Sequence, residues 1–148
     1  MSLRASIAAG LAFWVAQWLG AEHAIYALVA AVIVTDLSPS KTRHSALHRF
    51  AGTLIGAVVG ALLLSVLPAH PLSPVPAILA AMLLTYLVRP EHAAARVAGY
   101  VAAIVMVAHG DDPWRYAFDR AWETLIGIGT ALLVGMVPLW LRERDHDS

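Results

Sequence analysis

Apolar and polar stretches alternate along the chain in a pattern that predicts six helical segments. The apolar stretches approach membrane-spanning length and are separated by short polar or proline-rich connections. A helix needs about 20 residues to cross the hydrocarbon core of a bilayer. The predicted segments are residues 3–19, 23–35, 48–67, 75–88, 93–108 and 118–141. The sequence therefore predicts an all-α integral membrane protein with six transmembrane helices.

The second half of this pattern repeats the first. Residues 26–63 run in parallel with residues 100–137, and the letters Thr-Leu-Ile-Gly at positions 53–56 recur at positions 124–127. Because each copy contains three segments, the second copy must enter the membrane in the opposite orientation, which is a recurring plan of transporters. We expect a 3+3 inverted repeat in a single domain, with repeat 1 at residues 3–68, repeat 2 at residues 75–141 and a short tail at residues 142–148.

The second and fifth segments are short and occupy equivalent places in the two repeats. Paired short segments often break inside the bilayer beside a substrate site near its midplane. A thin membrane, or flanking residues that reach to the interface, is the alternative explanation. The sequence leaves both open.

The basic residues predict the orientation. Eight of the ten Lys and Arg residues fall on one side when the amino terminus is placed inside, and two fall on the other. The inner set is Arg4, Lys41, Arg43, Arg49, Arg89, Arg96, Arg142 and Arg144, and the outer set is Arg115 and Arg120. The positive-inside rule then predicts that both termini are cytoplasmic, in a multi-pass protein of a bacterial inner membrane.

Composition narrows the functional classes. Of 148 residues, 59% are hydrophobic and 14% are charged, which leaves too little polar surface for a soluble domain. The net charge of zero gives no basic surface for nucleic acid, and the absence of cysteine removes disulfides and thiolate sites. No phosphate-binding loop, dinucleotide fingerprint or nucleophile elbow is found. We therefore expect no enzyme, no cofactor and no metal.

Small residues recur every four positions in the third and sixth segments. Such stripes let two helix backbones approach closely. In lipid the burial of apolar surface gives no net drive for helix association, so this close packing must hold the helices together. The packing residues are Gly52, Gly56, Gly60, Gly127, Ala131 and Gly135. By symmetry the third and sixth helices are predicted to cross at the centre. An interface between subunits is the alternative.

Arg49 and Arg120 are the leading candidates for substrate binding. Each is placed at the predicted start of a long segment, four positions before its threonine, Thr53 or Thr124. A guanidinium offers a planar fork of donors that suits a carboxylate, and a helix amino terminus adds its free N–H groups. Two symmetric arginines are thus predicted to present one anion site toward each side of the membrane. Interaction with lipid headgroups is the alternative.

Three further ionisable residues are candidates for coupling or gating. Glu123 lies inside the sixth segment, where it either couples protons or pairs with Arg120. Asp36 and His109 stand at the ends of the second and fifth segments. They either gate these helix ends, or cap the helices and lie in solvated loops.

His44 and His48 have the spacing of a metal pair on a helix. No third ligand follows them in a zinc-protease motif, so they are predicted to be interfacial residues and not ligands.

The third and sixth segments carry a family resemblance. The order Arg49-x-x-Gly52-Thr53-x-x-Gly56-x-x-x-Gly60, after a short helix, resembles the membrane unit of the fusaric acid resistance-like proteins, which include aromatic acid exporters. The resemblance spans residues 3–141 and implies a six-helix unit that moves organic anions outward. Many members carry two such units or a cytosolic domain. This chain has one unit, so the resemblance implies a homodimer or another homo-oligomer.

The sequence thus predicts an exporter of small organic anions, with aromatic carboxylates as the leading class. Arg49, Thr53, Arg120 and Thr124 are expected to bind the substrate, and rocking of the repeats to alternate access. The lipid bilayer and a second copy are the expected partners. A passive anion channel on the same scaffold and a non-transporting assembly subunit are the rival interpretations.

Overall fold

The described residues of the computed structural model form six α-helices and no strand. These residues are 2–35, 39–67, 70–108 and 111–136. The helices are α1 (Ser2–Trp18), α2 (Ala24–Val34), α3 (Pro39–Val66), α4 (Pro74–Val88), α5 (His92–Ala108) and α6 (Pro113–Met136). The predicted all-α fold with six helices is therefore confirmed, although several helix bounds differ from the predicted segments.

Two of the long helices begin earlier than the apolar pattern predicted. Helix α3 starts at Pro39 and not at residue 48, and α6 starts at Pro113 and not at residue 118. Proline is favoured in the first turn of a helix because its missing N–H would have no helical partner there. Asp112 caps α6, since its Oδ1 accepts hydrogen bonds from the Trp114 and Arg115 N–H groups at 3.1 Å. Hydropathy marks the apolar part of a helix, whereas these local signals mark its start.

The six helices pack as two groups that are joined through α3 and α6. In one group α1, α2 and α6 pack against one another, and in the other α3, α4 and α5 do so. Helices α3 and α6 pack extensively against each other between the groups. Alanines dominate the buried contacts, as in the row Ala8, Ala12 and Ala16 of α1. Small buried side chains keep the helix axes close, as is typical of helices that associate in lipid.

The outer surface carries large apolar side chains. On α1, Trp14 and Trp18 are exposed, and on α4, Leu83, Leu87 and Val88 are exposed. Within the described ranges, one helical stretch, Lys41–Val66, is both long and apolar enough to cross a membrane by length and composition. Three further helices, α2, α4 and α5, are apolar but shorter.

The predicted pair of short helices is not matched in length. Helix α2 has 11 residues and spans about 16 Å at 1.5 Å per residue. Helix α5 has 17 residues, as many as α1, and it runs without interruption from His92 to Ala108. The predicted fifth segment, residues 93–108, thus matches α5 to within one residue, and α2 is the shorter of the two helices by six residues.

The glycine stripe of α3 faces α5 and not α6. A Cβ on Gly52 would lie 2.5 Å from the Ala94 carbonyl oxygen, and one on Gly56 would overlap the Ala98 backbone. A Cβ on Gly60 would lie 3.0 Å from the Ala102 carbonyl oxygen. The predicted packing of the third helix against the sixth is confirmed. The prediction that the glycine stripe makes this contact is wrong, because α5 supplies the small residues against which the stripe packs.

The stripe of α6 likewise faces the other half of the chain. A Cβ on Gly127 would overlap the Ala27 carbonyl oxygen of α2, and Ala131 is fully buried in the same cluster. A Cβ on Gly135 would meet no atom within 4 Å. Gly127 and Ala131 thus pack on or near α2, while Gly135 packs on no helix of the described residues.

Candidate functional site

Arg49 is buried between α3 and α5. Its side chain donates a hydrogen bond from Nη1 to the Tyr100 hydroxyl, and its guanidinium carbon lies 5.4 Å from the centre of the Tyr100 ring. The residue is 6% exposed, and its Nε has no hydrogen-bond partner in the part of the chain that the structure describes. A buried guanidinium with a free donor is a favourable place for an anionic acceptor.

Arg120 occupies a similar environment between α6 and α2. Its guanidinium carbon lies 2.8 Å from the centre of the Tyr26 ring and 5.2 Å from that of Tyr116. Its Nη2 donates a hydrogen bond to the Tyr116 hydroxyl at 3.2 Å. The residue is 3% exposed, and among the described residues its Nε also lacks a partner. Each arginine is thus held by tyrosine while one donor stays unpaired.

The two arginine–tyrosine pairs cross between the halves of the chain. Arg49 of the first half contacts Tyr100 of the second, and Arg120 of the second contacts Tyr26 of the first. Tyr26 and Tyr100 are the first residues of the two matched sequence blocks. Each buried guanidinium is therefore held by a tyrosine of the opposite half of the chain.

Glu123 supplies a negative charge beside Arg120. Its Oε2 lies 3.5 Å from Nη1 of Arg120, and its Oε1 accepts a hydrogen bond from the His23 backbone N–H at 2.8 Å. The carboxyl group is 1% exposed. Of the two roles considered for Glu123, this geometry favours pairing with Arg120.

The two predicted threonines are buried with the arginines. Thr53 lies one helical turn after Arg49 and Thr124 one turn after Arg120, and both are at most 4% exposed. The Thr53 hydroxyl has no hydrogen-bond partner among the described residues. Buried polar atoms without partners are rare in folded proteins, so this hydroxyl and the two Nε groups are positions at which a ligand or water would be bound.

The arginines lie well inside their helices. Ten residues of α3 precede Arg49, and seven residues of α6 precede Arg120. The prediction that both stand at helix amino termini is therefore wrong, because α3 and α6 begin earlier than their apolar runs. Backbone N–H groups at these positions are used within the helix, so the side chains alone are available to an anion.

A pocket of about 440 Å³ opens beside Arg49. Its wall includes Lys41, Arg96 and Glu91, together with both histidines of the His44–His48 pair. A second pocket, of about 360 Å³, lies beside Arg120's partner Tyr116. The predicted gating residues Asp36 and His109 lie outside the described residues.

The structure brings a third group to His44 and His48. Glu91, which precedes α5, places its Oε2 2.7 Å from His48 Nε2 and 3.7 Å from His44 Nε2. The two Nε2 atoms are 2.9 Å apart. Sequence reasoning missed Glu91 because it is distant along the chain and belongs to no local motif.

The tyrosine partners of the arginines were also missed. Tyr26 and Tyr100 were visible only as the shared first letter of the two sequence blocks. A matched aromatic residue in each repeat, beside a matched arginine, was the available signal. The partner could not be assigned because each tyrosine contacts the arginine of the opposite half.

Comparisons with known proteins identify the family. No curated protein and no solved structure matches this chain. The family model described as "Fusaric acid resistance protein-like" matches residues 11–134, a range that includes both arginine–tyrosine pairs. The resemblance stated from the sequence is confirmed. The chain belongs to the fusaric acid resistance protein-like family, which makes it a membrane protein with a transport-related function.

Proposed function

We propose that this protein exports small organic anions, with aromatic carboxylates as the leading class. The observation that carries the proposal is the pair of buried arginines, Arg49 and Arg120, each stacked on tyrosine and each with an unpaired Nε. An ionisable residue inside a membrane protein is costly to bury and marks a functional site by default. The tyrosines position the guanidinium groups without neutralising them.

The charges of the site suit a monocarboxylate. Arg120 is paired with the Glu123 carboxylate, whereas Arg49 forms no ion pair with a carboxylate of the described residues, so its positive charge is left without a partner of opposite charge. A bound monoanion would balance it. Each guanidinium would donate to the carboxylate through its fork of N–H groups, which is a stronger interaction than a neutral hydrogen bond.

Thr53 and the tyrosines extend this proposal to aromatic acids. The free hydroxyl of Thr53 is available to the carboxylate, and Thr124 occupies the matching position of the second repeat. The rings of Tyr26 and Tyr100 offer faces and edges on which an aromatic substrate packs favourably. The family description names fusaric acid, which is itself an aromatic carboxylic acid.

The helix contacts support a 3+3 inverted repeat that alternates access. In an inverted repeat α1, α2 and α3 correspond to α4, α5 and α6, and the contacts follow this correspondence. The packing of α3 on α5 matches that of α6 on α2. The packing of α1 on α2 and α6 matches that of α4 on α5 and α3. In our proposal the chain crosses the membrane six times, although α2 by itself covers only part of the hydrocarbon core. The α3–α6 contact is the axis about which the repeats rock. The arginines then serve one anion that is reached from each side in turn, in place of the two separate sites expected from the sequence.

Orientation and assembly complete the proposal. The distribution of basic residues supports cytoplasmic termini in a bacterial inner membrane. The six-helix unit is proposed to work as a homodimer or another homo-oligomer.

The proposal is tested by flux into proteoliposomes. The purified chain is reconstituted and offered benzoate, salicylate, pyridine-2-carboxylate, malate and chloride. We expect saturable flux of the aromatic acids, which Arg49→Ala abolishes and Arg49→Lys reduces less. Arg43→Ala is the matched control, since Arg43 lies on the same helix but is exposed.

The other outcomes of this experiment separate the rival functions. Ohmic, non-saturating anion currents would favour a channel on the same scaffold. Folded protein without flux of any anion would favour an assembly subunit. Equal, negligible effects of the Arg49 substitutions would remove Arg49 from the pathway.

A further inference from the structure

We propose that His44, His48 and Glu91 form a binding site for a divalent transition metal ion such as Zn²⁺. The three side chains place one ligand atom each within 4.8 Å of one another. Two imidazole nitrogens and a carboxylate oxygen are a donor set that Zn²⁺ uses in proteins with an open coordination position. None of the three residues is among those proposed to bind the anion, so the site does not depend on the proposed transport function.

The distances between the ligand atoms suit a tetrahedral ion. The separations are 2.9 Å between the two Nε2 atoms, 2.7 Å from His48 to Glu91 and 3.7 Å from His44 to Glu91. Ligand atoms bound to Zn²⁺ at about 2.0–2.2 Å in tetrahedral geometry lie about 3.3 Å apart. Small side-chain movements would therefore make the three atoms equidistant.

The convergence of these three ligand atoms is a second argument for a cation. A neutral imidazole presents a lone pair on one of its two nitrogens, and a carboxylate oxygen is an acceptor only. Here both Nε2 atoms and the Glu91 oxygen point to the same small space. A metal ion binds all three lone pairs at once, whereas a proton satisfies them only in pairs.

The surroundings decide what the metal would do. His44 and His48 lie on successive turns of α3, whereas Glu91 immediately precedes α5. A bound ion would join α3 to the start of α5 on the side where their backbones meet at the glycine stripe. The same three residues line the pocket that leads to Arg49, so the open coordination position would face a space in which a carboxylate also fits.

The test is a titration of the chelator-treated full chain in detergent with ZnCl₂, followed by calorimetry. We expect one ion per chain and a rise in the unfolding temperature with free Zn²⁺, because an ion that binds only the folded state stabilises it. Co²⁺ should give the intense visible absorption of a tetrahedral site.

The variants separate metal binding from folding. His44→Ala and Glu91→Gln should each weaken Zn²⁺ binding by more than about tenfold, because each removes a direct ligand. These two residues are the accessible members of the site, so both variants are expected to fold, whereas His48 is buried. His70→Ala is the control and should bind Zn²⁺ as the unaltered chain does.

Two results would overturn the proposal. One is the absence of stoichiometric binding of either Zn²⁺ or Co²⁺ to the folded chain. The other is binding that survives both ligand substitutions. Arg49→Ala should leave Zn²⁺ binding in place, so failure of the transport proposal and failure of the metal proposal give different results.

Discussion

Substitution of Gly56 tests the packing of α3 on α5. In Gly56→Ala the new Cβ would overlap the Ala98 carbonyl oxygen and lie 2.9 Å from the Ala98 Cα. These are backbone atoms, so no side-chain rotation relieves the contact and the two helices must move apart. Overpacking of a close contact costs about 1–3 kcal/mol, and the rigid neighbour places this variant toward the upper end of that range.

Gly129→Ala is the matched control in another helix. A Cβ at Gly129 would meet nothing within 4 Å. Without a clash, alanine is favoured over glycine in a helix by up to about 1 kcal/mol. We therefore expect the two variants to change stability in opposite directions, although both make the same chemical change.

The assay is the midpoint of unfolding in detergent, followed by size-exclusion chromatography and circular dichroism. Gly56→Ala should lower the midpoint and Gly129→Ala should hold or raise it. Gly56→Leu should prevent recovery of folded protein. Equal midpoints for Gly56→Ala and the unaltered chain would refute the α3–α5 contact, because that contact leaves no room for the added carbon.

Three further substitutions test particular contacts. Tyr100→Phe removes the acceptor of a buried Arg49 hydrogen bond. The free energy of unfolding, measured in detergent, should fall by about 1–3 kcal/mol, and an unchanged value would contradict that contact. Asp112→Ala removes the cap of α6 and should cost about 0.5–2 kcal/mol in the same measurement, whereas an unchanged midpoint would argue against the cap. Glu123→Gln removes the negative charge beside Arg120, so the site becomes more positive and flux should shift from the monoanion benzoate toward the dianion malate. An unchanged ratio of benzoate flux to malate flux would show that Glu123 does not act on the substrate.

Much of the fold could be predicted from hydropathy, because each helix contains an apolar run and polar connections separate one run from the next. The starts of α3 and α6 could not be predicted this way. Polar residues continue a helix as readily as apolar ones, and Pro39, Asp112 and Pro113 mark the starts by local backbone chemistry. The glycine spacing likewise indicates a close approach without saying which helix supplies the other side.

The candidate site was predictable only in part. Arg49 and Arg120 stood out because they recur at matching positions in the two halves. Their partners could not be inferred, since Tyr100 lies 51 residues from Arg49 along the chain and Glu91 is similarly remote from His48. Contacts between distant residues depend on how the helices pack, and one sequence alone carries little information about that packing.

A double-mutant cycle for benzoate binding tests most directly the claim that Arg49 and Arg120 bind the same anion. Calorimetry in detergent would compare the unaltered chain, Arg49→Ala, Arg120→Ala and the double variant. Each single substitution should remove about 1.5–3 kcal/mol, at least about a tenfold loss of affinity, and the double variant should lose much less than the sum. Strictly additive losses, or an unaltered chain that binds no benzoate, would contradict the account.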